Sequence, residues 1–438
     1  MAMATYLKKA TPPIKEKDID TRNIVKGILD DIRSRGESAV CELAEKFDNW
    51  KRGFILGKEE IDSLIATVPQ TAKDDIRFAY DQVYGFAVKQ RESMQEFETE
   101  LSPGVTLGQR LIPCQCAGCY VPGGRFAHAA SAVMSVATAK AAGVPFVVAC
   151  TPPRGDSINP TVAYALSLSG ADVIMALGGV QAIGTMAFGL FTGKPADIIV
   201  GPGNAFVAEA KRMLYGEIGI DIFAGPTESL VIADDTADPT IVAVDMVSQC
   251  EHGYDSPVWL LTDSRALGEK VIEIMPKVIA DLPYPEVAAS SWENYGEVVL
   301  CNDREELAKV NDEYAAEHVQ VMAEDLDWYL ANLKNYGSLF LGEGCTVSYG
   351  DKTSGTNHIL PTKKAARYSG GLNVGKFIKI LTYQKLTKEA NRNIGAVASR
   401  ISRYEGMEGH ARAADIRLRK YFPDEKFEFE VYNQKSYV

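Results

Sequence analysis

Histidine is scarce in this sequence, with five residues in 438. Four of the five stand in polar segments, most of them marked by glycine: QCEHG ending at Gly253, AAEH ending at His318, GDKTSGTNHILPT from Gly350 to Thr362, and EGMEGH ending at His410. Long apolar runs are lacking too. None approaches the roughly 18 residues of a membrane-spanning helix, and the opening MAMATYLKKATPPIKEKDID has no apolar core of the secretory kind, so a cytoplasmic protein without membrane partners is expected. Positive charge is in deficit: the net charge of -12 argues against a general nucleic-acid binder, although a local basic pocket still suits a small anion. Eight cysteines are scattered without disulfide spacing, which fits free thiols in a reducing compartment. Cys114, Cys116 and Cys119 form a CxCxxC that has no fourth ligand nearby, so reduced thiols are expected there rather than a metal. The dinucleotide fingerprint GxGxxG is also missing. GCYVPGGR, LGGVQAIG and GPGNAF are glycine-rich, but none has its spacing.

What is present is an ordinary enzyme composition, 46% hydrophobic and 24% charged, in a chain long enough for more than one domain. In the first hundred residues Ile24, Ile28, Ile32, Val40, Leu43 and Phe47 recur at helical spacing, which predicts an N-terminal helical region over 1–103. From about residue 104 short apolar strands alternate with small-residue helices: PFVVACTPP, DVIMAL and ADIIVGPGN, with GGVQAIG read as a turn. Such alternation implies a parallel sheet covered by helices on both faces, with a crevice beyond the carboxyl ends of its strands. A second α/β unit begins near Phe223 and runs through VWLLTD and EVVLCND. The expected fold is therefore α/β, with two Rossmann-like domains at 104–222 and 223–384 and a small helical C-terminal region at 385–438.

The residues that carry chemistry lie mainly in the second unit. Gln249 and His252 sit three apart at the end of a predicted helix, the spacing of two ligands on one face, although a histidine there also suits the helix dipole. Asp351 and His410 offer further oxygen and nitrogen donors, and zinc accepts such a set. A turn-capping aspartate and a partly exposed histidine are the plainer alternatives. Glu317 and His318 suit proton transfer if a helix end or an extended loop turns both into one pocket; otherwise they are a surface pair.

Taken together, GCYVPGG, GGVQAIG, GPGN, AGPTESLVIAD, QCEHG, AAEH, GDKTSGTNHILPT and EGMEGH resemble the histidinol dehydrogenase family. The resemblance runs from about residue 25 to 420 and is closest to a branch acting on a three-carbon sulfonated diol. It implies a zinc-dependent, NAD-linked enzyme that oxidises a primary alcohol to a carboxylate in two hydride transfers. It implies one zinc per subunit on Gln249, His252, Asp351 and His410, with Glu317 activating water and His318 as general base. By the same resemblance Tyr120, Gln181 and Asn204 contact NAD, and Thr227, His358 and Glu405 contact substrate. The implied assembly is an intertwined homodimer, in which Glu405 and His410 approach the neighbouring subunit's site. The segment GGRFAHAAS departs from the family pattern and brings Arg125 and His128 there; His128 is a further substrate candidate. Lys363, Lys364 and Arg367 cluster beyond HILPT, and an anionic alcohol would benefit from such donors. The alternatives are histidinol itself as substrate, or a non-catalytic metal-binding protein on this fold.

Overall fold

Apolar runs such as FVVACT and SLVIA are strands buried on both faces, as a parallel sheet flanked by helices requires. The computed structural model describes residues 5–13, 19–123, 127–222 and 225–427. It comprises two units, Met1–Glu92 with Pro113–Phe377, and Ser93–Ile112 with Ile378–Val438.

The first unit contains two sheets of the same topology. One is built from β4 (Cys116–Tyr120), β5 (Phe146–Thr151), β6 (Val173–Ala176), β7 (Ile198–Val200) and β8 (Gly219–Ile220), all parallel, in the order β6-β5-β4-β7-β8. The other is built from β9 (Ser229–Ala233), β10 (Val258–Thr262), β11 (Glu297–Leu300), β12 (His318–Met322) and β13 (Ser338–Leu341), parallel in the order β11-β10-β9-β12-β13. An antiparallel β1 (Thr5–Lys8) extends that sheet beside β11. In both sheets the chain starts at the middle strand, winds to one edge, then returns and winds to the other, which is the doubly wound pattern.

The helices between strands are packed by small residues. In the helix Ala129–Ala141 every position from Ala132 to Ala139 is buried, which fits a helix enclosed on all sides. GGVQAIG is not a turn: the helix Gly179–Phe188 begins inside it, and Gly178 alone makes the junction with β6. The N-terminal helix Ile19–Arg35 buries Val25, Leu29 and Ile32, whereas Ile24 is 49% exposed. Its inward face is thus turned from the expected Ile24–Ile28 stripe. The helix packs on Gly184, where an added Cβ would stand 3.0 Å from Ile32 Cδ1.

At the point where the first sheet reverses direction, β4 and β7 run side by side and Gly201 follows β7 with φ +121°. A Cβ there would lie 1.9 Å from the carbonyl oxygen of Tyr120, so only glycine fits. The turn is held from behind by a buried ion pair. Lys211 Nζ lies 2.5 Å from Asp221 Oδ1 and donates to the Gly201 carbonyl at 2.7 Å, while Gly201 N–H donates to Asp221 Oδ2 at 2.7 Å. With its hydrogen bonds satisfied, such a pair fixes backbone geometry, and breaking it would strand a buried charge. Gly201→Ala is expected to destabilise the protein by about 3 kcal/mol through backbone strain and overlap. Urea unfolding checks this, and a variant as stable as wild type would contradict the packing.

In the second unit β2 (Phe97–Ser102), β3 (Val105–Pro113) and β14 (Ile378–Leu386) form a sheet in the order β14-β3-β2. A helical pair, Asn391–Tyr404 and Glu408–Tyr421, follows. The buried Asp415 carboxylate joins the pair, accepting from Ser399 Oγ at 2.5 Å and from Arg403 Nη2 at 2.7 Å. Ile394, Val397, Ile401 and Tyr404 line one exposed stripe of the first of these helices. Among the described residues no helix is long and apolar enough to cross a membrane.

Candidate active site

Glu317 and His318 stand where β12 begins, beside the start of β9, with His318 in register with Ser229. The pair is neither at a helix end nor on a loop: it lies at the amino ends of the second sheet and is buried, Glu317 at 7% and His318 at 3% exposure. Glu228, the residue before β9, organises both side chains. Its N–H donates to Glu317 Oε2 at 3.0 Å, and its carbonyl accepts from the His318 main-chain N–H and from the ring Nδ1, each at 3.1 Å. A carbonyl can only accept, so Nδ1 carries the ring proton and Nε2 presents a lone pair. That Nε2 is buried with no hydrogen-bond partner, 3.7 Å from Asp351 Oδ1.

Burial sets the proton affinities. It lowers the His318 imidazole to about 3, so the ring is neutral at physiological pH. It raises the Glu317 carboxyl well above the usual carboxylate range, against the pull of the Glu228 N–H. The Glu228 carboxyl is raised to about 7, again by burial, although the Lys363 N–H donates to its Oε1 at 2.8 Å. Its Oε2 is buried without a partner.

Asp351 comes from the helix Val347–Lys352, and the loop after it is shaped around His358. A Cβ on Gly350 would stand 2.3 Å from His358 Cε1 and Nε2, so glycine makes room for the ring. The His358 ring stacks on His318 with centroids 5.3 Å apart. Its Nδ1 lies 2.8 Å from Asp351 Oδ1, and Thr356 Oγ1 lies 3.2 Å from its Nε2. Both ring nitrogens are therefore engaged, and the ring holds the aspartate in place. Burial opposes ionisation of Asp351, but the His358 hydrogen bond, with His318, His358 and His252 nearby, outweighs it and holds the carboxyl at about 2. The loop docks on the first half of the unit, where Asn357 Nδ2 donates to the Met134 carbonyl at 2.9 Å and to Thr138 Oγ1 at 3.1 Å. It also meets the loop before β9, where Gly225 N–H donates to Thr362 Oγ1 at 2.6 Å.

The donors present fit a zinc ion. His252 Nε2 lies 3.8 Å from Asp351 Oδ2, and one turn back on the same helix end the Gln249 Oε1 is buried with no partner. An orphaned amide oxygen, an ionised carboxylate and an imidazole form the mixed oxygen and nitrogen set that zinc accepts. On the other side of the carboxylate, ligand atoms of His318, Asp351 and His358 all lie within 4.8 Å of one another. His410 and Glu405 belong to the second unit, where both are exposed. Thr227, half-buried, directly precedes Glu228, and His128 caps the helix Ala129–Ala141 without a side-chain capping bond. Arg125 lies outside the described residues.

The three residues expected at NAD are at the carboxyl ends of the first sheet. Tyr120 ends β4, and its hydroxyl accepts from Gly179 N–H at 3.2 Å. Gln181 is buried and its Nε2 donates to Asp48 Oδ2 at 3.3 Å. Asn204 caps the helix Ala205–Leu214, its Oδ1 accepting from the N–H groups of Phe206 and Val207 at 3.1 Å each. Cys116 and Cys119 lie inside β4, where burial pushes their thiols up to about 11 and about 12, so they are poor nucleophiles.

The profile of the histidinol dehydrogenase family matches residues 13–418. The chain belongs to that family. Histidinol dehydrogenases are NAD-dependent oxidoreductases, and this chain is accordingly an enzyme. Among its relatives, the sulfopropanediol 3-dehydrogenase of Ruegeria pomeroyi is 56% identical over 97% of this chain and 98% of that protein. The histidinol dehydrogenase of Gluconobacter oxydans is 37% identical over 90% of this chain and 92% of that one. The crystal structure of histidinol dehydrogenase from Elizabethkingia anophelis superposes with a TM-score of 0.88 at 33% identity, covering 94% of each chain. Sequence reasoning about this histidinol dehydrogenase family member passed over Glu228, which holds both Glu317 and His318. A signal was available: an acid directly before the wholly apolar strand SLVIA is bound to be drawn toward the interior.

Proposed function

We propose that the chain is a zinc-dependent, NAD-linked dehydrogenase that oxidises (R)-2,3-dihydroxypropane-1-sulfonate to 3-sulfolactate in two successive hydride transfers through a bound aldehyde. The observation that carries the substrate is the 56% identity, over almost the whole chain, to a sulfopropanediol 3-dehydrogenase. The chemistry is supported by the buried Glu317 and His318 beside Asp351. Gln249, His252 and Asp351, with the partner subunit's His410, would hold one zinc per subunit. When bound, zinc polarises the substrate oxygen and NAD, contacted by Tyr120, Gln181 and Asn204, accepts hydride.

The protein's own part follows from the site. His318 Nε2 takes the proton of the substrate hydroxyl while hydride leaves the carbinol carbon, and its Nδ1–H stays on the Glu228 carbonyl, which keeps the ring in the basic tautomer. Glu317 then takes a proton from the water that adds to the aldehyde. Burial raises the proton affinity of the Glu317 carboxyl, so its carboxylate form is a stronger base toward that water than an exposed one would be. The hydrate gives up the second hydride. One alcohol, one water and two oxidised cofactors thus yield one carboxylate, two reduced cofactors and three protons. Thr227, His128, His358 and Glu405 contact substrate, and burial of the reacting groups keeps the aldehyde from bulk water. The exposed stripe of Ile394, Val397, Ile401 and Tyr404 supports the homodimer that the family generally forms, with Glu405 and His410 turned to the neighbouring site.

Steady-state NADH formation tests the substrate. Sulfopropanediol is expected to be turned over at least about a hundredfold more efficiently than histidinol, because a polar site left unpaired by the wrong substrate discriminates strongly. Efficient turnover of histidinol with none of the sulfonate would replace this reading with true histidinol dehydrogenase.

A further inference from the structure

Three elements carry the groups of the site. The helix Pro239–Cys250 ends on Gln249 and Cys250 with His252 just past it, β12 opens on His318, and the helix Val347–Lys352 carries Asp351. Asp351 stands 3.7 Å from His318 and 3.8 Å from His252, beyond hydrogen-bonding distance, so these contacts do not themselves set the spacing. A second cluster links the same three elements. Asp245 lies one turn before Gln249 on the same helix face, and Gln320 lies two residues after His318 on the same face of β12. Thr346 is the N-cap of the helix that carries Asp351. The Asp245 carboxylate meets both partners: Oδ2 accepts from Gln320 Nε2 at 2.7 Å and Oδ1 from Thr346 Oγ1 at 3.1 Å.

Both partners give up other interactions for this link. Gln320 is buried at 1% exposure in the otherwise apolar stretch VQVM. Its Nε2 also donates to the Cys345 carbonyl at 2.8 Å, and a carbonyl only accepts, so the amide cannot turn over and its Oε1 is left buried without a partner. A threonine at an N-cap ordinarily accepts from an N–H of the first turn. Thr346 makes no such bond, and its hydroxyl donates to Asp245 instead. An unpaired buried oxygen and an unused cap both lower stability. A demand on position accounts for them: the helix has only six residues, so where its N-cap is held decides where Asp351 stands.

We infer that Asp245 is a positioning residue for the metal site, its carboxylate fixing the separation of the Gln249–His252 helix end, His318 and Asp351 through Gln320 and Thr346. The inference rests on the proposed zinc site. The test measures zinc affinity by competition with a chromogenic chelator, on protein shown by circular dichroism to be folded. Asp245→Ala is expected to weaken zinc binding about tenfold, the lower end of what residues outside the ligand shell contribute. It should still fold, because Gln320 Nε2 keeps the Cys345 carbonyl. Asp245→Asn restores most of the affinity, since its Oδ1 can accept from Gln320 while its amide donates to the Thr346 hydroxyl. Thr346→Val, which removes only the tie to the Asp351 helix, weakens zinc binding severalfold, and adding it to Asp245→Ala costs nothing more, as two ends of one link require. Asn311→Ala removes a buried side chain that donates to the Asn335 carbonyl elsewhere in the same unit, and it lowers stability with zinc affinity unchanged. Affinity within twofold of wild type in Asp245→Ala, no rescue by Asn, additive losses in the double variant, or an equal loss in Asn311→Ala each overturns the inference alone. Wild-type protein that binds no zinc overturns the metal reading and this inference with it.

Discussion

His318→Asn is expected to lower kcat by about 10²–10⁴-fold, the usual worth of a positioned general base, with KM little changed and zinc content at the wild-type level. Asparagine is the informative replacement because its amide can still donate to the Glu228 carbonyl in place of Nδ1, while nothing stands where Nε2 was. The fold should tolerate the change, since the lost atom is the one with no hydrogen-bond partner. Zinc content is the second readout because the structure admits another use of the same atom. With ligand atoms of His318, Asp351 and His358 within 4.8 Å of one another, His318 is placed well enough to bind a metal. Loss of zinc in His318→Asn would make the residue a ligand, and wild-type turnover would remove it from proton transfer. Low kcat with full zinc is the outcome that a base requires.

The alternation of strands and helices was legible because strands such as FVVACT, SLVIA and VWLLT are short, largely apolar runs between small-residue helices, and two Rossmann-like units were expected from it. The departures have physical causes. GGVQAIG reads as a turn by composition, yet one glycine suffices for the junction, and the remaining residues are small enough to enter a buried helix. In the first helix Val25 and Ile24 are both β-branched and apolar, and only the packing on Gly184 decides which points inward. The strands of 97–113 pair with 378–386, a contact between segments nearly three hundred residues apart that local pattern does not show.

The site was legible as a set of segments, less so as an arrangement. Glu317 and His318 in isolation look like a surface pair, because two adjacent ionisable residues are rarely both buried. They are buried because Glu228 satisfies them through its backbone, and sequence says nothing of a main-chain N–H and C=O aimed from another strand. His358 shows the same limit from the other side: its ring nitrogens are already engaged by Asp351 and Thr356, so in this state it acts on the aspartate before it can act on a substrate.

Asp351→Ala is the second large effect. It is expected to weaken zinc binding by more than about a hundredfold, beyond the range typical of an outer partner of a metal ligand, and to abolish turnover at ordinary zinc levels. The carboxylate is the one group in the site that meets histidines on both oxygens, His358 at 2.8 Å and His318 at 3.7 Å on Oδ1, and His252 at 3.8 Å on Oδ2. Held ionised down to about pH 2, it is ready to bind a cation without first losing a proton at any physiological pH. Removing it leaves, of the proposed set, only imidazole and amide donors, none of which can replace an anionic ligand. Competition with a chromogenic chelator reads zinc affinity directly, independently of activity. Asp351→Asn separates charge from shape: its Oδ1 can still accept from His358, so the loop should keep its form while zinc affinity falls. If Asp351→Ala bound zinc as tightly as wild type, the aspartate would be no ligand, and its role would reduce to fixing the His358 ring. If both variants lost zinc while the loop stayed folded, the carboxylate charge itself would be what holds the metal, with His358 as its support.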